Sequence, residues 1–355
     1  MVSFAELAES LELGTAGLAG ALLFVPGMLA MLVEPWLFVL ADRWPRKPFV
    51  AGGLAAMGIG IGLASLAHDP WVLMGAVTLA WIGSGAAVAL GQATLADARP
   101  DDRERALARW TLAGEVGDLA APLVLGVFAF VGWGWRAGGV AVGALLVVWA
   151  LGLGTAPFPP PGSTEDEAEG SLREALRHRG LMGWLAAAAL CELLDEIVVV
   201  FASIHLRDAL GLDPAARSLV IGAGIVGAIA GAAMTERLLA RVDAMRLLFG
   251  SSVACALALA AWIVAPDAWS SGALFALVGA TAAPMYPLVF ARAYAALPGR
   301  SGTVHAAAHA FTPVMLALPV GLGWIADAWG AHWALGALLA QPVGLALIAA
   351  WQVRR

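Results

Sequence analysis

The sequence is poor in charged residues: Asp, Glu, Lys and Arg make up 13% of its 355 residues, whereas 61% are hydrophobic. A soluble domain has about 25% charged and about 45–50% apolar residues, so this composition excludes an ordinary water-soluble domain. The surplus apolar side chains need a lipid bilayer as their solvent. The strict period-two alternation of a transmembrane β-barrel is also missing, and the sequence therefore predicts an all-α membrane protein.

Other absences exclude whole classes of function. The two cysteines, Cys191 and Cys255, lie inside apolar segments, so we expect neither a disulfide framework nor a cysteine metal site. No surface interleaves basic and aromatic residues as a nucleic-acid-binding face would, and no P-loop of the form GxxxxGK[ST] supports ATP-driven pumping. The N-terminus lacks the basic segment of a signal peptide. We expect no catalytic residues, no metal, no cofactor and no nucleic-acid partner.

What the chain has instead is a series of long apolar segments. A helix needs about 20 apolar residues to cross a bilayer core of about 30 Å. The sequence predicts eleven such spans, over residues 15–41, 48–67, 71–96, 106–133, 137–156, 181–206, 214–240, 244–265, 269–294, 303–327 and 331–351.

The basic residues indicate the orientation of these spans. All but Arg136, Arg207 and Arg217 of the 20 basic residues fall in alternate loops or at the C-terminus. Because Lys and Arg are retained on the cytoplasmic side of short loops, the chain is predicted to lie in the cell membrane as a multi-pass protein. The hinge at 41–47, the central linker and the C-terminus are predicted to be cytoplasmic, and residues 1–14 external.

The two halves of the chain resemble each other. SLELGTAG (10–17) and ALGLDPAA (209–216) each precede a long span that ends in a charged hinge, ADRWPRK (41–47) or TERLLAR (235–241). A complete span precedes this unit only in the second half. We interpret this as a six-plus-six design whose first helix is absent from this chain; a genuine eleven-span protein is the alternative.

The linker between the halves is rich in proline, glycine and acids. The domain organisation predicted from it is an N-terminal half of five spans (1–156), a cytoplasmic linker (157–180) with a short amphipathic helix at 171–179, and a C-terminal half of six spans (181–355).

Four short motifs suggest a family. The hinge residues Leu40, Ala41, Asp42, Arg43, Arg46 and Lys47 match the pattern G-x-L-A-D-R-x-G-R-K/R, with Phe38 and Pro45 in place of its glycines. The segment 117–126 is similar to an antiporter motif, G-x3-G-P-x2-G-G, and the segments 323–330 and 132–136 match the usual ends of two further helices. These features resemble the major facilitator superfamily of secondary transporters, in particular its drug and metabolite efflux members.

The resemblance implies a fold of two pseudo-symmetric six-helix halves. It also implies that the hinge is a gate loop, in which Asp42, with Arg43, Arg46 and Lys47, holds the cytoplasmic ends of the halves together by facing a helix terminus. A carboxylate at a helix N-terminus is stabilised by about 0.3–1 kcal/mol, which suits a contact that breaks in every transport cycle.

Acidic side chains inside the spans are the candidate site residues. A charge at mid-bilayer costs about 2.5–3.5 kcal/mol, and no Lys or Arg lies at comparable depth, so these acids are expected to stay protonated until water or a cation reaches them. Glu192, Asp195 and Glu196 share one helical face near the midplane, where secondary transporters bind substrate and coupling ion. Hydrogen bonding of one or two of them to neighbouring helices is the alternative.

Three further acids lie in other spans. Glu115 and Asp118 share a helical face, for which a gating or proton-carrying role and a packing role are both open. Glu34 precedes Pro35, and we interpret it as structural, because a proline frees a backbone carbonyl that a protonated acid could satisfy.

Few other polar side chains could line a cavity. Gln92, Tyr286, His305 and His309 are the candidates, with ordinary packing as the alternative for each. The two histidines are spaced i, i+4, but no third ligand accompanies them, so we expect no metal.

These observations predict a secondary transporter, acting as a monomer, whose partners are a small molecule, protons and lipid. The leading hypothesis is a proton-coupled antiporter that exports a neutral or cationic small molecule by alternating access. One alternative is a proton-coupled importer of a sugar or similar neutral solute. The other is a transport-incompetent or receptor-like membrane protein.

Overall fold

The computed structural model describes residues 16–159, 172–194 and 196–353, which form helices joined by short loops. Within these ranges no strand occurs, and the predicted all-α membrane fold is confirmed. Ten helical segments of the described residues are long and apolar enough to cross a membrane: 25–43, 46–66, 70–98, 100–128, 134–155, 214–239, 244–263, 268–296, 301–329 and 331–352. The predicted external segment 1–14 lies outside the described residues.

The helices of the first half follow the predicted spans closely. They are α1 (Ala16–Arg43), α2 (Arg46–Leu66), α3 (Pro70–Ser84), α4 (Leu90–Ala98), α5 (Arg103–Phe130) and α6 (Gly134–Thr155). A π turn, Gly85–Ala89, joins α3 to α4 within one span. A 3₁₀ turn, Pro100–Asp102, precedes α5.

The second half begins with the short helices α7 (Leu172–Ala175), α8 (Arg179–Cys191) and α9 (Glu196–Asp208). It continues with α10 (Pro214–Leu239), α11 (Ala244–Ile263), α12 (Ala268–Ala282), α13 (Met285–Ala296) and α14 (Ser301–Ala308). The last helices are α15 (Thr312–Trp329), α16 (Ala331–Leu338) and α17 (Ala340–Val353).

The helix boundaries repeat between the halves. Helices begin at residues 46, 70 and 103, and others begin at 244, 268 and 301, so each of these starts recurs 198 positions later. Helix α1, described from residue 16, precedes α2 as α10 precedes α11. This spacing is close to the offset of the two similar sequence segments and gives α1, α2, α3 and α5 the counterparts α10, α11, α12 and α14.

Aspartates fix where several of these helices begin. Asp69, Asp213, Asp243 and Asp267 each precede a helix and accept hydrogen bonds from backbone N–H groups of its first turn. Such N-caps satisfy donors that have no partner inside the helix. At Asp267 the hydrogen bonds from the first turn of α12, chiefly that from the Ser270 N–H, hold the pKa of the carboxyl below its usual range.

Two sequence predictions are corrected here. The span predicted over 181–206 is not one continuous helix, because α8 ends at Cys191 and a 3₁₀ turn, Glu192–Leu194, separates it from α9. The amphipathic helix predicted over 171–179 is reduced to the four residues of α7. The chain then turns before α8, where the Leu181 N–H donates to His178 Nδ1.

The described residues divide into two compact units. The first comprises residues 16–98, 120–159, 172–175 and 297–309; the second comprises 99–119, 176–194, 196–296 and 310–353. Each unit therefore contains a segment from the other half of the sequence: the start of α14 belongs to the first unit, and the start of α5 belongs to the second. These two segments are counterparts in the 198-residue repeat.

Glycines allow helices within each unit to approach closely. In the first unit Gly58 of α2 faces Gly143 of α6, and a Cβ on Gly58 would stand 2.6 Å from the Gly143 backbone oxygen. In the second unit a Cβ on Gly227 of α10 would overlap the backbone oxygen of Ala276 of α12. Small residues at such crossings are typical of membrane helices, whose association depends on van der Waals packing.

We expect Gly227→Val to destabilise the folded protein strongly, because its side chain cannot displace the backbone of α12. Gly222→Val is the matched control on the same helix, since a Cβ there meets nothing within 4 Å. Thermal unfolding followed by size-exclusion chromatography should show a lower transition temperature for the first variant only. Equal transition temperatures in the two variants would contradict the close packing of α10 on α12.

Candidate functional site

Asp42 lies at the end of α1 and contacts the first turn of α14. Its Oδ1 accepts a hydrogen bond from the Gly302 N–H at 2.9 Å, and its Oδ2 accepts from the Thr303 N–H at 2.6 Å and the Thr303 hydroxyl at 2.7 Å. Asp42 is 6% exposed. The helix N-terminus presents unpaired N–H groups and a partial positive charge to this carboxylate, so the contact is favourable in both hydrogen bonding and electrostatics.

Arg46 connects this contact to a second carboxylate. Its Nη2 donates to Asp42 Oδ1 at 2.6 Å, and its Nη1 donates to Asp97 Oδ2 at 2.7 Å. Asp97 Oδ1 in turn accepts from the Ser301 hydroxyl at 2.6 Å. Asp42, Arg46, Asp97, Ser301 and Thr303 thus form one buried network, the hinge cluster, in which one guanidinium lies between two carboxylates.

The close approach of α14 to α1 depends on Gly302. A Cβ at this position would overlap the Phe38 backbone oxygen and stand 2.6 Å from Asp42 Oδ1. Phe38, which replaces a glycine of the family pattern, is buried in the first unit with Ala41 and Ala306. The small residue that permits the close approach is therefore Gly302 of α14, and not a residue of the hinge motif on α1.

The remaining residues of the predicted gate loop behave differently from Asp42 and Arg46. Lys47 donates from Nζ to the Ala156 backbone oxygen at 2.8 Å, which ties the hinge to the end of α6. Arg43 is exposed, and no hydrogen bond or ion pair to it is found within the described part of the chain. The hinge cluster therefore uses two of the four predicted loop residues.

The second unit has a related contact between α5 and α10. Arg109 forms an ion pair with Glu236, and the Arg105 guanidinium donates to the Leu239 backbone oxygen at 3.3 Å. Because α5 and α10 are the repeat counterparts of α14 and α1, the same two helix positions are joined in each unit. This contact is more exposed than the hinge cluster, and an exposed ion pair contributes little to stability.

The interruption between α8 and α9 falls on the acidic segment ELLDE. Glu192 begins the 3₁₀ turn, and Glu196 begins α9. Asp195 lies outside the described residues. The Leu194 N–H donates to Gln341 Oε1 at 2.8 Å, and Gln341, at the start of α17, is 2% exposed. A buried glutamine thus satisfies a backbone group at the break in the helix.

The two acids predicted beside the antiporter-like segment lie on α5. Glu115 is half-buried and Asp118 is exposed, and a Cβ on the intervening Gly117 would meet nothing within 4 Å. Both residues belong to the segment 99–119 of the second unit, whose helices also carry the acidic ELLDE segment.

The predicted cavity residues are divided between the units. Gln92 is buried in α4, while Tyr286 on α13 is half-buried and packs on Phe290 with ring centroids 4.6 Å apart. His305 is buried and His309 is half-buried, and both rings pack against Phe38.

Glu34 was interpreted as a structural acid that satisfies a backbone carbonyl. The structure places a side-chain partner beside it that this interpretation did not include, because Glu34 Oε2 lies 3.3 Å from His309 Nε2. The interpretation missed the pair because the two residues are 275 positions apart on helices whose facing sides cannot be deduced from one-dimensional spacing.

Sequence reasoning missed several members of the site. Asp97 and Gln341 were not singled out, although each is a polar side chain in an otherwise apolar segment, which was the available signal. Ser301 and Thr303 gave no signal of their own, since hydroxyls near a helix start most often act as local caps.

Comparison with known proteins identifies the fold. Residues 1–318 match the family model of the Major Facilitator Superfamily. No curated protein sequence matches the chain significantly. Among solved structures, FucP, a Major Facilitator Superfamily transporter in the outward conformation, superposes with a TM-score of 0.71 at 14% identity, covering 98% of this chain and 95% of FucP.

Two further structures show the same likeness. The proton:xylose symporter XylE has a TM-score of 0.71 at 13% identity, with 95% of this chain and 87% of XylE covered. The human organic anion transporter MFSD10 has a TM-score of 0.69 at 14% identity, with 98% and 88% covered. With a family model over most of its length and a matching all-α fold, the chain belongs to the major facilitator superfamily.

Proposed function

We propose that this protein is a proton-coupled secondary transporter that exports a neutral or cationic small molecule in exchange for protons by alternating access. The observation that carries the proposal is the hinge cluster. It joins the end of α1, from the first half of the sequence, to the start of α14, from the second half.

The chemistry of the hinge cluster suits a contact that forms and breaks. Every group in it is a carboxylate, a guanidinium, a hydroxyl or a backbone N–H, and each of these regains hydrogen bonds from water when the contact opens. The free energy of a buried ion pair differs little from that of the same two charges in water, because the desolvation cost largely cancels their attraction. An apolar contact of the same size would instead expose hydrophobic surface on opening, at about 25 cal/mol per Å².

The acidic segment ELLDE is the proposed proton site. Transporters of this kind bind substrate and coupling ion at interrupted helices near the bilayer midplane, and the interruption between α8 and α9 coincides with Glu192, Asp195 and Glu196. In this proposal Asp195 or a neighbouring acid releases its proton as substrate binds. Glu115 and Asp118, on α5, are proposed to assist in gating or proton transfer.

The substrate class follows from the charges of the helices. An anion would require an unpaired basic side chain deep in a span; Arg292 lies near the end of its span, and Arg109, in the first half of its own, is paired with Glu236. A neutral or cationic compound is compatible with carboxyl groups as its partners. We further propose that the protein acts as a monomer in the cell membrane, with the linker and C-terminus in the cytoplasm.

A second candidate function is proton-coupled import of a sugar or similar neutral solute. It is supported by the fold neighbour XylE, a proton:xylose symporter, and by FucP, a fucose:proton symporter. Against it stands the small number of polar side chains, chiefly Gln92 and Tyr286, that could hydrogen-bond several sugar hydroxyls.

Reconstituted vesicles containing a pH-sensitive dye test both functions together. An imposed gradient of a substrate moves protons in the opposite direction in an antiporter and in the same direction in a symporter. We expect counter-movement with at least one neutral or cationic amphipathic compound of a panel. Co-movement with a sugar would establish the second candidate, and absence of proton movement with every compound would contradict both.

A further inference from the structure

A second polar contact lies deeper along the same pair of helices as the hinge cluster. Glu34 Oε2 is 3.3 Å from His309 Nε2, and the two side chains are 14% and 21% exposed. Glu34 precedes Asp42 by two helical turns on α1, and His309 follows Gly302 by two turns at the end of α14. The pair therefore continues the antiparallel contact that begins at the hinge.

The surroundings of this pair are apolar and closely packed. The Phe38 ring packs at a tilt against both histidine rings, with 5.7 Å between ring centroids in each case. The Glu34 carboxyl packs on Gly85, where a Cβ would overlap it. Gly85 begins the π turn between α3 and α4, and such turns inside helices occur frequently at functional sites.

The hydrogen-bonding pattern distinguishes the two nitrogens of His309. With Glu34 ionised, its carboxylate is only an acceptor; an Nε2–H that faces it leaves the lone pair of the imidazole on Nδ1. Nδ1 is buried and has no hydrogen-bond partner within the described part of the chain. With Nε2 directed at Glu34, Nδ1 is the ring atom at which the imidazole can take up a second proton.

We propose that His309 Nδ1 is a proton-binding site whose charge is balanced by Glu34, and that its proton favours closure of the α1–α14 contact. The step transfers one proton from water to Nδ1 and forms an N–H bond, converting the imidazole to an imidazolium. With the proton, the Glu34–His309 pair is electrically neutral. Without it, the pair has a net charge of −1 in an apolar contact, which is unfavourable.

Opening of the contact hydrates both groups and removes this cost. The closed contact therefore binds up to one more proton than the open contact, and by linkage the closed-to-open ratio changes by up to about tenfold per pH unit. The sign is fixed by the charge balance: acidification favours closure, and alkaline conditions favour opening.

The other titratable groups around the pair are few. On α14, His305 lies one turn from His309, against the other side of Phe38. At the hinge, Asp42, Arg46 and Asp97 already compensate one another. Helix α3 and the π turn, which pack against α1, contribute no titratable side chain. Of the helices that pack against α14, α4 contributes Asp97 and α7 carries Arg173 and Glu174. The test must therefore separate His309 from His305.

The inference rests on the proposed transport cycle only for the assumption that the α1–α14 contact opens. The proposed proton site is distinct from the acidic ELLDE segment, and it is tested without any substrate. If no transport is found in vesicles, the test of His309 can therefore still succeed or fail. If the test of His309 fails, the transport experiment is equally unaffected.

The experiment measures opening by thiol labelling of the full-length protein in lipid nanodiscs. Cys191→Ala and Cys255→Ala remove the native thiols, and Ala306→Cys introduces one at a position of α14 that is buried against α1. The labelling rate is measured from about pH 5.5 to about pH 8.5, the range in which histidine changes charge. Division by the rate of an exposed Arg241→Cys removes the pH dependence of the thiol itself.

The corrected rate should rise with pH, by up to about tenfold per unit. His309→Gln and Glu34→Gln should each abolish this rise, whereas His305→Gln and the exposed His68→Gln should retain it. The proposal is overturned if the labelling rate of Ala306→Cys without further substitution is independent of pH. It is also overturned if His309→Gln retains the rise, or if His305→Gln abolishes it.

A second measurement needs no substitution at the site. Histidine-selective ¹⁵N NMR of the parent, assigned with His305→Gln, should show His309 protonated at Nε2 alone at high pH and at both nitrogens at low pH. A proton on Nδ1 with none on Nε2 at high pH would overturn the assignment even if the His309 variants fail to fold.

Discussion

Asp195→Asn is expected to reduce substrate-driven proton movement to the level of empty vesicles while leaving insertion and folding intact. Asparagine has nearly the same shape as aspartate but neither binds nor releases a proton at physiological pH. In the sequence the residue lies between Leu194, which ends the 3₁₀ turn, and Glu196, which begins α9, and interrupted helices near the midplane are where secondary transporters bind substrate and coupling ion. A carboxyl group in such a place is costly to keep charged, which is the property that makes it a reversible proton carrier.

The measurement compares proton flux in vesicles for the parent, Asp195→Asn and Asp208→Asn. Asp208 is the matched control, because it is the last residue of α9, the helix that follows the interruption, and is exposed and paired with Arg207. Size-exclusion profiles of the three proteins verify folding. Undiminished proton flux in Asp195→Asn would remove this residue from the mechanism, and an equal loss in Asp208→Asn would show that the effect is not specific to the interruption.

Asp42→Asn is expected to shift the α1–α14 contact strongly towards its open form. The substitution removes the charge that faces the α14 N-terminus and leaves Arg46 with Asp97 as its only carboxylate partner in the hinge cluster. Loss of one partner from a buried ion pair costs about 3–5 kcal/mol. At about 1.4 kcal/mol for each factor of ten, this corresponds to a change in the equilibrium of about 10²-fold to a few thousandfold.

Labelling of Ala306→Cys in nanodiscs at constant pH measures this shift as an increased rate. Arg43→Gln is the control, since Arg43 adjoins Asp42 in sequence but is exposed, and its rate should match the parent's. A double-mutant cycle with Thr303→Ala should show coupling between Asp42 and Thr303. Additive effects, or an unchanged rate in Asp42→Asn, would argue against the hinge cluster as a closing contact.

The hinge and the interrupted helix show how far sequence reasoning reaches. The charged hinge was visible because four charges within six residues are rare in so apolar a chain. Its partners were not, because Asp97 and Ser301 are 51 and 255 positions from Arg46 and carry no local signal. Similarly, nothing in residues 191–196 breaks a helix by propensity, since neither proline nor glycine occurs there; in the tertiary structure Gln341 binds the backbone at that point.

Glu34 illustrates the same division. Proline at the next position suggested a local backbone partner, whereas the observed partner is His309, brought near by the packing of α14 on α1 past Gly302 and Phe38. Helical periodicity tells which residues share a face, but it does not tell which helix that face meets.

The amino-acid sequence alone determined that the chain lies in a membrane, where ten of the eleven predicted spans run, and that its halves repeat. These properties follow from local quantities: the length of an apolar segment relative to the bilayer and the cost of placing charge in it. The tertiary structure alone decided which carboxylate meets which helix terminus, where a span is interrupted and which acid is paired with a histidine. Those outcomes depend on contacts between segments far apart in sequence, whose energies are fixed only when small residues let the helices approach.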